Sequence, residues 1–141
     1  MTAYVLDASV VVKWYLEESL WEQARMLLAS QDSLLAPDFI LTEAANVFLK
    51  KIRSGSMREV IGAHALDEIA LVLDRFPSDA LREAAFRLAL SHDRSYYDAL
   101  YVALALREDV KLITADGRLI NGLRAHYPAT MLWLGDVSPL V

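Results

Sequence analysis

Four acidic residues, Asp7, Glu43, Asp98 and Asp116, stand beside apolar sequence, where an unpaired charge is costly. Asp7 follows the short β-prone run Tyr4-Val5-Leu6, and Asp116 comes just after Lys111-Leu112-Ile113-Thr114. In a parallel α/β sheet, sites form outside the carboxyl ends of the strands, so acids in these two places are candidates. Each also has a structural use. Asp7 can cap a helix that starts at Ala8. Asp116-Gly117 is an ordinary turn pair, and taken alone that use is the favoured one.

Glu43 lies on an expected helix from Asp38, where its neighbours three and four positions away are Phe39, Ile40, Asn46 and Val47. Three of these are apolar, which puts Glu43 at or beside a buried stripe. A Glu at the edge of the stripe, paired with Lys or Arg, is the weaker reading. Asp98 precedes Ala99 to Leu106, apolar almost all round and so an expected buried helix. Ser95-x-x-Asp98 also has capping-box spacing, so local helix chemistry accounts for Asp98 equally well.

Taken together, two strand ends and two inward-facing helix starts can bring four carboxylates to one end of a sheet. Like charges so placed repel unless a cation sits among them. Carboxylate and water ligands suit Mg²⁺ or Mn²⁺, and the absence of Cys and His from the group disfavours zinc. Mg²⁺ held by carboxylates points to phosphoryl-transfer chemistry on a phosphate-bearing substrate.

The elements that must position these acids alternate along the chain. Strands are expected at Tyr4 to Leu6, Ser33 to Ala36 (stopped by Pro37), Leu71 to Leu73, Lys111 to Thr114 and Met131 to Leu134. Helices are expected at Ala8 to Tyr15, Ser19 to Ala29, Asp38 to Arg53, Met57 to Ile69, Ser78 to Leu90, Ser95 to Glu108 and Asp116 to Leu123. Ser19 is the expected cap of the second helix, with Glu22 as its capping-box partner. Short buried strands between helices imply an α/β chain with a parallel sheet covered on both faces.

The 141 residues fit one domain, 1–141, with 55% hydrophobic residues to build a core. A formal charge of -5 excludes a basic sleeve around nucleic acid. The absence of cysteine excludes disulfide frameworks, thiolate metal sites and a cysteine nucleophile. The longest apolar run, Ala99 to Leu106, is far short of the roughly 20 residues a membrane helix needs. No secretion signal is read at the start of the chain, so the reading is soluble and cytoplasmic.

Four segments, in order, resemble the PIN-domain ribonucleases, and within them the VapC-type toxins of toxin–antitoxin pairs. They are Val5-Leu6-Asp7-Ala8-Ser9, Pro37-Asp38 with Glu43-Ala44-Ala45-Asn46, Tyr97-Asp98-Ala99-Leu100-Tyr101, and Leu112-Ile113-Thr114-Ala115-Asp116. The resemblance implies a three-layer α/β/α sandwich around a central, mostly parallel sheet of four or five strands. It implies a Mg²⁺-dependent endoribonuclease, with Mn²⁺ as an alternative ion, whose acids match Asp7, Glu43, Asp98 and Asp116. Hydroxyl support from Thr114, and from Ser9 beside Asp7, is implied as well. So are an RNA substrate, a cognate antitoxin protein and a homodimer.

Other features are weaker. Lys50, Lys51, Arg53 and Arg58 form a short basic run that a solvated helix end explains better than a phosphate track. Lys13 and Arg118 lie near the acids in sequence, and His64, His92 and His126 lack mutual ligand spacing. The main alternative is a noncatalytic PIN-like interaction module. A receiver or phosphatase-like domain fits less well, since such a phosphatase wants a second Asp where Ser9 stands.

Overall fold

A computed structural model describes residues 2–138. Five short strands form one sheet: β1 (Ala3–Leu6), β2 (Ser33–Pro37), β3 (Asp74–Phe76), β4 (Lys111–Thr114) and β5 (Met131–Trp133). The order is β3-β2-β1-β4-β5, and every pairing is parallel. The helices are α1 (Ala8–Val11), α2 (Trp21–Ala29), α3 (Ile40–Arg53), α4 (Glu59–Val72), α5 (Arg82–His92), α6 (Tyr96–Glu108) and α7 (Gly117–Leu123). They flank the sheet in a three-layer α/β/α sandwich.

The strand order sets the position of a site. From β1 the chain moves outward to β2 and β3, then returns to the other side of β1 for β4 and β5. Right-handed crossovers in opposite directions put the two sets of helices on opposite faces. A crevice therefore opens at the carboxyl ends of β1 and β4, where the direction reverses. Helices α1, α3 and α7 follow β1, β2 and β4, and α6 runs back to feed β4. All four therefore begin at that edge.

The core explains why α6 has no polar face. Ala99, Leu100, Tyr101, Val102, Ala103, Leu104 and Ala105 are all buried, because α6 packs on β1, β2 and β4 and is covered by α5. Val5, Leu6, Leu112 and Ile113 fill the middle of the sheet and are fully buried. Among the described residues no helix is long and apolar enough to cross a membrane.

Two local expectations are corrected. The capping box of α2 does not form: the helix begins at Trp21, and its cap position is Leu20, left-handed at φ 67 with no side-chain cap. Tertiary bonds position this helix instead, since the Trp14 indole N–H donates to the Ala24 carbonyl (2.9 Å) and Arg25 Nε donates to the Trp14 carbonyl (3.2 Å). Leu71-Val72-Leu73 is not a strand. Helix α4 continues through Val72, and the strand is Asp74-Arg75-Phe76. As an edge strand paired only with β2, β3 tolerates charged residues that an interior strand would not.

Candidate active site

The register of β1 and β4 builds the strand side of the site. Leu6 pairs with Ile113, so the next residues, Asp7 and Thr114, meet at the carboxyl edge. Asp7 is 5% exposed and Thr114 is fully buried. Thr114 Oγ1 donates to Asp7 Oδ2 (2.5 Å), and Ser9 Oγ donates to Asp7 Oδ1 (2.5 Å). In turn Ser9 Oγ accepts from the Ala115 N–H (2.9 Å) and Thr114 Oγ1 from the Asp116 N–H (3.0 Å).

Asp7 does occupy the cap position of α1, but its carboxylate makes no cap bond. Only its carbonyl accepts from the Val10 and Val11 N–H groups. The carboxylate is turned to the hydroxyls of Ser9 and Thr114. Asp116 does cap α7, with Oδ1 accepting from the N–H groups of Arg118 (3.0 Å) and Leu119 (3.4 Å).

The helix side is looser. Glu43, in the first turn of α3, is half-buried and accepts a 2.6 Å hydrogen bond from the Tyr101 hydroxyl. Tyr101 lies three residues beyond Asp98, on the same face of α6, and its ring packs against Phe39 at 5.0 Å between centroids. Asp98 is half-buried, and its N–H donates to Ser95 Oγ (3.1 Å). Ser95 is thus the cap of α6, and Asp98 sits half-buried in the first turn behind it.

Electrostatics tie the four acids together. Burial, with added repulsion from Asp116 and Asp98, pushes the Asp7 carboxyl up to about 7, against the pull of the two hydroxyls. Glu43 is raised by burial and further by Asp98, opposed by the Tyr101 bond. Asp98 is raised by burial and then by Asp116, opposed by Arg94 and Arg118. The Tyr101 hydroxyl is pushed far up by burial and by Glu43, so it stays a donor.

Among the described residues no ion pair reaches any of the four acids. No three His, Asp or Glu side chains among them stand as a ready-made cage for an ion either. An all-oxygen set of mutually repelling carboxylates still fits Mg²⁺. That ion keeps several waters and is commonly held by one or two carboxylates together with substrate phosphate.

All four acids, Ser9 and Thr114 thus lie at one edge of the sheet. The basic run does not join them: Lys50, Lys51 and Arg53 close the far end of α3, Arg58 stands at the start of α4, and Lys51 is paired with Glu18 (3.0 Å). Two residues near the acids escape sequence reasoning, Tyr101 and Arg94. The spacing Asp98-x-x-Tyr101 is a signal for the first. Nothing local marks the second.

A buried carboxylate at the switch point of a parallel sheet, with further acids around it, marks this edge as the candidate site of an α/β domain. The chain matches the PIN domain over residues 4–122 and belongs to that family. Ribonuclease VapC3 of Pyrobaculum aerophilum is 36% identical over 120 residues, which span 82% of this chain and 90% of that protein. The fold is shared with Mycobacterium tuberculosis VapC20, a sarcin-ricin loop cleaving toxin (TM-score 0.65, 20% identity, 84% of this chain and 93% of that one). It is shared too with VapBC2 of Rickettsia felis, solved bound to a promoter DNA fragment (TM-score 0.63, 16% identity, 94% and 98%).

Proposed function

We propose that this chain is a divalent-metal-dependent endoribonuclease of the VapC type, the toxin of a toxin–antitoxin pair, acting as one catalytic domain in the cytoplasm. The observation that carries the reading is the acidic edge itself: burial and neighbouring carboxylates raise the proton affinity of Asp7, Glu43 and Asp98, and among the described residues no ion pair reaches these three or Asp116. Such an arrangement opposes folding unless it serves to bind positive charge. The VapC ribonucleases among its relatives supply the reaction class.

In this reading Asp7, Asp98 and Asp116 hold Mg²⁺ or Mn²⁺, with Glu43 either a further ligand or the group that orients water. A bound ion would neutralise the phosphate and favour ionisation of an attacking water. The chain's own residues prepare the rest. Ser9 and Thr114 hold both oxygens of Asp7, so the carboxylate cannot rotate away. Tyr101 fixes Glu43 Oε1 and leaves Oε2 to accept a hydrogen bond from water. Asp116 spends Oδ1 on α7 and keeps Oδ2 for the site. In hydrolysis the water oxygen bonds to phosphorus and gives up a proton to solvent or to a carboxylate, the bond from phosphorus to one ribose oxygen breaks, and that oxygen leaves as a hydroxyl with a proton from solvent.

The groove beside Glu43, lined by Leu41, Ala45, Asn46, Leu49 and Tyr97, is where an apolar antitoxin segment would lie. Exposed Phe86 and Leu90 on α5 suit a homodimer contact.

Total RNA incubated with the purified protein is expected to be cut at defined sites with Mg²⁺ or Mn²⁺ and to stay intact with a chelator. Asp98→Asn is expected to lower the rate by about 100-fold or more. Mapping of the cleaved ends checks both. The absence of any metal-dependent cut would overturn the nuclease and leave a noncatalytic PIN-like interaction module.

A further inference from the structure

Arg94 follows Asp93, which closes α5 in a left-handed conformation (φ 51). Its guanidinium is held from two sides: Nε donates to the Asp93 carbonyl (3.0 Å) and Nη1 to the Arg118 carbonyl (3.1 Å). Helix α7 makes room for it at Gly122, where a Cβ would stand 3.0 Å from Nη1 and 3.1 Å from Cζ. Arg118 and Gly122 are four residues apart on α7 and so share a face.

This cation is close enough to Asp98 to act on its carboxyl. Arg94 directly precedes Ser95, the cap of α6 whose first turn carries Asp98. The carbonyl it grips belongs to Arg118, two residues beyond Asp116. The guanidinium acts on Asp98 at longer range but forms no direct ion pair, since among the described residues no carboxylate lies within 4.0 Å of it. A guanidinium has five N–H donors and only two are spent here, so both donors on Nη2 remain. An arginine fixed by backbone carbonyls with part of its fork open matches the geometry of a phosphate.

We propose that Arg94, pinned on α7 by the Arg118 carbonyl and Gly122, binds a nonbridging oxygen of an RNA phosphate next to the acidic edge. The inference rests on the nuclease reading above. It makes Arg94 a substrate-positioning residue in an otherwise acidic surface.

The test measures binding of a 5′-labelled single-stranded oligoribonucleotide to Asp7→Asn protein, with Mg²⁺, over a series of salt concentrations. Adding Arg94→Gln, which keeps an amide donor for the carbonyls but removes the charge, is expected to weaken binding by about tenfold. It should also flatten the slope of log affinity against log salt by about 0.7, the value for one phosphate contact on a single strand. Gly122→Ala keeps the charge but displaces the guanidinium. It is expected to weaken binding by about threefold without lowering the melting temperature, since Ala is the better helix former.

Unchanged affinity and slope in Arg94→Gln, with a lower melting temperature, would overturn the proposal and make Arg94 a structural tie. Full affinity in Gly122→Ala would overturn the pinned geometry. The two readings fail separately: wild-type protein that cuts RNA while Arg94→Gln binds normally sinks only the arginine's role. Arg94-dependent binding by a protein that never cuts RNA supports the contact and sinks the nuclease.

Discussion

At the carboxyl ends of β1 and β4, Asp7 is 5% exposed and both its oxygens are held by hydroxyls. At the starts of α3 and α6, Glu43 and Asp98 are half-buried, and Glu43 has one side-chain bond, to Tyr101. The strand side is placed by sheet register, and two hydroxyl bonds and burial hold its carboxylate with little contact to water. The helix side rests on side-chain packing and keeps contact with solvent. A cation among these acids would thus meet one ligand already in place and others able to adjust to it. The price is electrostatic, and it falls mainly on Asp7.

The largest expected effect therefore lies at Asp7. Asp7→Asn should reduce RNA cleavage by about 100-fold or more. In metal-free protein it should also change the dependence of stability on pH. The Asp7 carboxyl is raised from 3.8 to about 7 in the fold, so between those values the folded state holds a proton that the unfolded chain has released. Stability should then fall as pH rises through that window, by a few kcal/mol in order of magnitude. Thermal melts at pH 5 and pH 8 should show this fall in the wild type, a much smaller one in Asp7→Asn, and recovery of the wild type at pH 8 on adding Mg²⁺. A wild-type melting temperature that rises with pH would mean that Asp7 is not the costly group.

Thr114→Val comes next. It leaves a buried oxygen of Asp7 and the Asp116 N–H without their partner, for about 1–3 kcal/mol in urea unfolding. Tyr101→Phe should cost less, about 1 kcal/mol, because water can reach the half-buried Glu43, and cleavage should fall by no more than about tenfold. If Tyr101→Phe proved the more damaging of the two, the distinction between a fixed strand side and an adjustable helix side would not stand.

Much of the sheet was legible because an apolar β-prone run followed by an acid is a local pattern. Asp7 and the strand before it are read directly, as are β4 and the short helix after Asp116. Glu43 is legible from its apolar neighbours one helical turn away. The plain structural use weighed against a site was correct for Ser95, which caps α6, whereas Asp116 caps α7 instead of forming a turn with Gly117. For Asp7 that use was met only in part: the residue stands at the cap position of α1, but its side chain bonds across the sheet. Where the reading failed, distant contacts outweighed local preference. Trp14 positions α2 against the capping signal at Ser19. Core packing of Ala65 and Ile69 carries α4 into Leu71-Val72, so the strand falls on Asp74-Arg75-Phe76.

By itself the sequence determined the element types, the edge of the sheet at which polar residues gather, and the acids that stand against apolar faces. These follow from residue type and from periodicity over a few neighbouring positions, where the backbone dictates which side chains share a face. Only the tertiary structure decided that β4 returns beside β1. That return puts Thr114 against Asp7 across 107 positions of chain, Tyr101 against Glu43 across 58, and the Arg94 guanidinium on Gly122. Such pairings depend on strand order and helix packing, which no local stretch of residues encodes.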